Sequence, residues 1–160
     1  MKAGEKFVLG LIALLIVFSV VRSEVHVEKK HDNEIPYYST ASYDDAANAM
    51  DLIRKNNCKN CHSLWTLKDM LETVPAPILD GIGSLRTEDW LYSYLSAANP
   101  QSILPTRLKK EYGMPSYASL PEADRRLLAK YLASLKVRDW YLEDTKKAEY
   151  EKLTGLVYKK

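Results

Sequence analysis

The chain has 160 residues, 46% of them hydrophobic, and its 23 basic and 21 acidic side chains give a formal net charge of +2. That length holds one compact domain plus extensions, and so balanced a charge argues against a nucleic-acid binder. The two cysteines lie too close in sequence to staple a fold, which excludes a disulfide scaffold.

Lys2 and Lys6 precede an apolar run from Phe7 to Val21 that is closed by Arg22. At about 1.5 Å per residue these fifteen residues span less than the roughly 30 Å hydrocarbon core, a length typical of a signal-peptide core. Lys6 and Arg22 can snorkel to the interfaces, and a bilayer can thin locally. No Ala-x-Ala site follows; Val21-Arg22-Ser23 is the nearest small-residue substitute. We therefore read residues 1–22 as a single-pass N-terminal transmembrane helix, or an uncleaved signal. The basic residues before it keep the N-terminus in the cytoplasm, so the rest of the chain is expected on the periplasmic face of a bacterial cytoplasmic membrane.

Residues 23–42 are polar, carry His26 and His31, and read as a linker. From Tyr43 the spacing of Ala46, Ala49, Met50 and Ile53 predicts a helix with one buried face, and Asp44 and Asp45 suit its first turn. It runs into Cys58-Lys59-Asn60-Cys61-His62. A short apolar cluster follows through Leu64, Trp65, Leu67, Met70 and Leu71, and then a Pro/Gly-rich loop over 74–83. Thr87 is placed to cap a second helix that buries Trp90, Leu91, Tyr94 and Leu95. Gln101 to Leu120 is a long irregular connection with Met114 at its centre. A third helix starts at Pro121 with Leu127, Leu128, Tyr131, Leu132 and Leu135 on its face. Residues 137–160 form a C-terminal extension rich in aromatic and charged residues, a candidate docking segment. No stretch reads as a β-strand, so the expected fold class is all-α.

Two thiols three residues apart, with a histidine directly after the second, form the attachment pattern of a c-type haem. The rival readings are a dithiol redox motif, which needs a βαβ context, and half a zinc site, which needs further ligands nearby; neither context is present. His62 then supplies one axial ligand. For the other, Met50 lies on a helix face suited to core packing, Met70 is too near His62 to cross the ring, and His26 and His31 fall in the linker. Met114, fifty-two residues beyond His62, stands between Gly113 and Pro115, which can fix the backbone while the thioether projects inward. Trp90 and Arg86 are donors near the second helix start that can reach haem propionates; the alternative is a core tryptophan and a solvated surface charge.

Over residues 42–136 the chain resembles class I c-type cytochromes. The similarity rests on Cys58 to His62, Ala76-Pro77-Ile78-Leu79, Glu88-Asp89-Trp90-Leu91, Asn99-Pro100, Met114-Pro115-Ser116-Tyr117, and Leu120 through Tyr131 to Leu135. The resemblance implies three main helices around a single covalent haem c, with the Pro77 carbonyl accepting from the axial histidine. It also implies that the first and last helices cross with a glycine against an aromatic residue. Tyr131 supplies the aromatic, but Ala46 or Ala49 must replace the glycine.

Histidine and methionine together saturate iron and leave no position for oxygen or peroxide, so the expected function is electron transfer without a substrate site. The reading is a membrane-tethered mono-haem carrier between respiratory or photosynthetic redox partners. The alternative is a fixed cytochrome subunit of a larger quinol-oxidising or terminal electron-transport complex. A haem peroxidase or gas sensor would need a ligand that leaves.

Overall fold

The structure is a computed structural model that describes residues 4, 10–19, 34–65, 74 and 76–159. It comprises two units, Met1–Glu34 and Ile35–Lys160.

In the first unit residues 10–19 are helical, and their large apolar side chains, among them Leu14 and Val17, are exposed. Among the described residues no helix is long and apolar enough to cross a membrane. Lys2, Lys6, Val21, Arg22, His26 and His31 lie outside the described residues.

The second unit is built on a helix, α1 (Tyr43–Lys55), whose start is fixed by the Ser42 hydroxyl accepting from the Asp45 N–H at 3.2 Å. Carboxylates in its first turn and Arg54 and Lys55 in its last both suit the helix dipole. A short helix α2 (Ile82–Leu85) precedes α3 (Glu88–Ser96). As the sequence predicts, the Thr87 hydroxyl caps α3 by accepting from the Trp90 N–H at 3.2 Å. The long helix α4 (Glu122–Ser134) follows an irregular segment that contains two 3-10 turns, Pro100–Ser102 and Lys110–Tyr112. Pro121 sits at the N-cap of α4 rather than inside it.

These helices share one core. Ala49 of α1, together with Ala129 and Tyr131 of α4, is almost completely buried there with Ile53, Leu91, Leu95 and Leu128. Of the two alanines expected at the crossing, Ala49 is fully buried and Ala46 only partly. Among the glycines, the closest approach to backbone is at Gly83 of α2, where a Cβ would run into the Ala133 carbonyl at the end of α4.

The expectation of an all-α chain needs one correction. Tyr37–Ser39 (β1) and Leu135–Val137 (β2) form an antiparallel pair in the register Tyr37 to Val137 and Ser39 to Leu135. The pairing extends through Thr40 N–H to Ser134 O (3.1 Å) and Arg138 N–H to Pro36 O (2.8 Å). Three residues are too few for alternation to register in a sequence. They pair because α4 delivers Leu135 and Val137 into the core, each almost fully buried, and the exposed side of that segment needs a hydrogen-bond partner. The end of the expected linker is therefore part of the folded unit.

The C-terminal extension continues as α5 (Leu142–Thr154) and ends at Gly155, whose φ of 72° suits a left-handed cap. This helix packs on its own unit. Glu149 pairs with Arg86 at 3.1 Å, Arg107 Nε donates to the Lys152 carbonyl at 3.2 Å, and the Tyr141 ring meets Tyr37 edge-on with centroids 5.6 Å apart.

Candidate functional site

The cysteine motif takes its shape from the end of α1. Asn56 caps that end, its side-chain amide donating to the Leu52 carbonyl at 2.8 Å, and Asn57 adopts a left-handed conformation with φ of 54°. Asparagine tolerates that region better than most residues. The reversal starts a 3-10 turn at Cys58–Asn60, and the Cys61 and His62 N–H groups both point back to the Cys58 carbonyl, at 3.3 and 3.0 Å. Both thiols and the imidazole are thereby carried on a single tight turn.

His62 Nδ1 lies 2.7 Å from the Pro77 carbonyl. A carbonyl only accepts, so Nδ1 carries the proton and Nε2 is the basic nitrogen, the tautomer a metal ligand requires. The loop bearing Pro77 is held by two further bonds, and the Trp65 that makes one of them is anchored by a third. The Leu79 N–H donates to the Ser63 carbonyl at 3.0 Å, the Trp65 N–H to the buried Asp80 carboxylate at 2.5 Å, and Trp65 Nε1 to the Tyr131 hydroxyl at 3.2 Å.

Cys58, Cys61, His62 and Met114 all face one cavity of about 310 Å³, walled by apolar residues that include Ile53, Leu91, Leu95, Leu128 and Leu132. Burial pushes the Cys58 thiol above its ordinary pKa, opposed in part by a hydrogen bond with Tyr117. Met114 reaches the cavity from the irregular segment and is pinned there through its backbone. Gln101 Nε2 donates to the Met114 carbonyl at 2.8 Å, and the Ser116 hydroxyl donates to the Ala97 carbonyl at 2.8 Å.

Of the other residues predicted for the site, Trp90 lines the cavity and stacks on Tyr94, with centroids 5.1 Å apart. Arg86 is not a solvated surface charge. Its guanidinium sits 5.0 Å above the Trp90 ring and pairs with Glu149, and its side chain is 23% exposed. Met50 packs beside the core and is not part of the cavity wall. Met70, His26 and His31 lie outside the described residues. Among the described residues no group of three or more His, Cys, Asp or Glu is placed to hold a metal ion by itself.

Sequence reasoning missed Gln101, Asp80 and Glu149, and quoted Tyr117 only within the Met114-Pro115-Ser116-Tyr117 motif, with no role. The first three meet the site only through contacts made across long sequence separations, and no local pattern announces them.

The donor set fits a haem. Two thiols can form thioethers with its vinyl groups, one imidazole and one thioether can serve iron, and the apolar wall suits a porphyrin. The family model described as Cytochrome c matches residues 46–136, from α1 to the start of β2. No curated protein and no solved structure gives a significant match. More than half of the chain is covered by that family match, and it includes the cysteine turn, the Pro77 loop and the Met114 segment; the chain belongs to the cytochrome c family, whose members bind haem c covalently and transfer electrons.

Proposed function

We propose that this protein is a membrane-tethered, mono-haem electron carrier with His62 and Met114 as axial ligands, working on the outer face of a cytoplasmic membrane. The observation that carries this reading is the convergence of Cys58, Cys61, His62 and Met114 on one apolar cavity. The haem supplies a reversible one-electron couple at iron, and the chain supplies its environment. Cys58 and Cys61 would anchor the group, the Pro77 carbonyl keeps His62 in the ligating tautomer, and Met114 would supply the second protein ligand to iron. Trp90, and Arg86 where it is not engaged by Glu149, are donors for propionates. The apolar run over 7–21 supports the tether, as do the exposed Leu11, Leu14, Leu15 and Val17 of the helical residues 10–19.

The test is the mass and spectrum of the exported protein. The intact mass should carry one haem, and the oxidised form should show a sulfur-to-iron charge-transfer band that disappears in Met114→Ala. A mass without haem sinks the reading, and a band that persists in the variant removes Met114 from iron.

A second reading, a fixed subunit of a quinol-oxidising or terminal electron-transport complex, draws support from exposed Trp140, Tyr150, Leu156 and Val157 at the C-terminal end. Mild detergent extraction separates the two. A carrier elutes alone, and a subunit elutes with its complex.

A further inference from the structure

The helix α5 lies outside the family match at 46–136, yet it contributes to the wall of the haem cavity. Glu149 and Leu153, one turn apart on its inner face, both line that cavity. Glu149 is the one acidic residue in the wall among the described residues, and its side chain is 14% exposed. A carboxylate in that position costs solvation energy, and nothing in the anchoring or ligation of the haem uses it.

From this placement we propose that Glu149 is a redox-linked proton site, which takes up a proton from solvent when the haem accepts an electron and releases it on oxidation. The inference rests on the haem reading above. A one-electron donor reduces the iron, the charge of the site falls by one, and a carboxylate on the same low-dielectric wall then binds a proton more tightly. Coupling is reciprocal, so protonation of Glu149 favours the reduced state by the same factor. Burial already raises the proton affinity of Glu149 above that of an ordinary glutamate, against the opposing charge of Arg86. The coupled range is therefore displaced upward from that of an ordinary glutamate.

Among the described residues, and besides Cys58, Cys61 and His62 that would hold the haem, the titratable or charged groups on this wall and beside Glu149 are these. Arg86, from the turn after α2, touches it at 3.1 Å. Across the cavity wall stand the phenols of Tyr94 on α3 and of Tyr112 and Tyr117 in the irregular segment, the Tyr94 hydroxyl being pushed up by burial. Arg107 is engaged with the Lys152 carbonyl, and Lys146 on the same helix pairs with Glu143 at 2.6 Å. The competing titratable groups are the propionates of the haem, which the test must separate.

The experiment measures the midpoint potential of the haem-loaded full chain against pH for wild type, Glu149→Gln and Arg86→Gln, with redox-difference infrared spectra. Wild type should lose up to tenfold in its reduction equilibrium per pH unit through the coupled range, about 59 mV for a one-electron couple. Glu149→Gln should abolish that slope and the protonated-carboxyl band of the reduced state. Arg86→Gln should move the slope to higher pH, because the carboxylate loses its positive partner. A slope and band unchanged in Glu149→Gln assign the proton to the propionates and overturn the proposal while the haem reading stands. A chain that carries no haem overturns both.

Discussion

With Met114 on iron, the bond between Gln101 and the Met114 carbonyl should decide how firmly the thioether is held. The backbone of Gln101 is itself held in a closed turn. It follows the fully buried Pro100, its N–H donates to the Asn99 side chain at 3.2 Å, and the turn is closed by the Ser102 and Leu104 N–H groups. Its Nε2 meets the part-buried carbonyl at 2.8 Å. Gln101→Leu keeps the approximate shape of the side chain and removes the donor. A net hydrogen bond contributes about 0.5–1.5 kcal/mol, and an unsatisfied part-buried carbonyl costs somewhat more. A loss near 1–1.4 kcal/mol corresponds to about five- to tenfold in an equilibrium constant. In the oxidised protein, imidazole should displace the thioether at about five- to tenfold lower concentration in the variant, followed by loss of the sulfur-to-iron band. A displacement midpoint equal to that of wild type, in a variant that retains haem and the band, would refute the claim that this bond positions the ligand.

Three further substitutions test the surrounding frame. Gly83→Ala should destabilise the folded state by about 1–3 kcal/mol or more in urea unfolding, because the new methyl meets backbone at the end of α4 rather than a side chain that can move; an unchanged midpoint would mean that α2 and α4 are not closely seated. Tyr131→Phe should cost about 0.5–1.5 kcal/mol through the lost acceptor for Trp65 Nε1, and Tyr131→Ala about 3–5 kcal/mol through loss of the buried ring. Equal costs for the two would discount the packing. The raised proton affinity of Glu149 sets a sign on pH dependence. The folded chain holds this proton more tightly than the unfolded one, so its contribution is fully present below the ordinary value of 4.5 and is lost as pH rises through the raised folded value. Unfolding curves across that range should fall for wild type and lack this component in Glu149→Gln; identical pH profiles would show that the carboxylate is solvated.

The parts of the molecule legible in sequence are those set by neighbours within one helical turn or one motif. Ser42 and Thr87 cap helices because a hydroxyl in front of an acidic first turn satisfies nearby N–H groups, and this is visible in a few consecutive residues. The turn from Cys58 to His62 is likewise local. Contacts made at a distance were hidden. The pairing of Tyr37–Ser39 with Leu135–Val137 joins segments nearly a hundred residues apart and leaves only three residues on each strand. The Arg86–Glu149 pair joins the turn after α2 to a helix whose role no composition signal describes. The bond from His62 to Pro77 crosses fifteen residues, and only the resemblance to a family pointed to it.

Placement of α5 changes what the C-terminal extension can do. A segment held only by its tip would be free to dock, but this one spends its inner face on its own unit through Thr145 beside Gly81, Glu149 on Arg86 and Leu153 on the cavity wall. The surface it leaves for a partner includes Trp140 in the turn before α5 and Tyr150 on the helix, 39% and 38% exposed, and the tail at Leu156 and Val157. Binding there would bear on the helix that carries Glu149, so docking of a partner would be coupled to the proton affinity proposed for the cavity wall. If the protein is a subunit of a larger complex, its potential should therefore differ between the free and assembled states, and Glu149→Gln should reduce that difference. A difference that survives the substitution would place the coupling elsewhere.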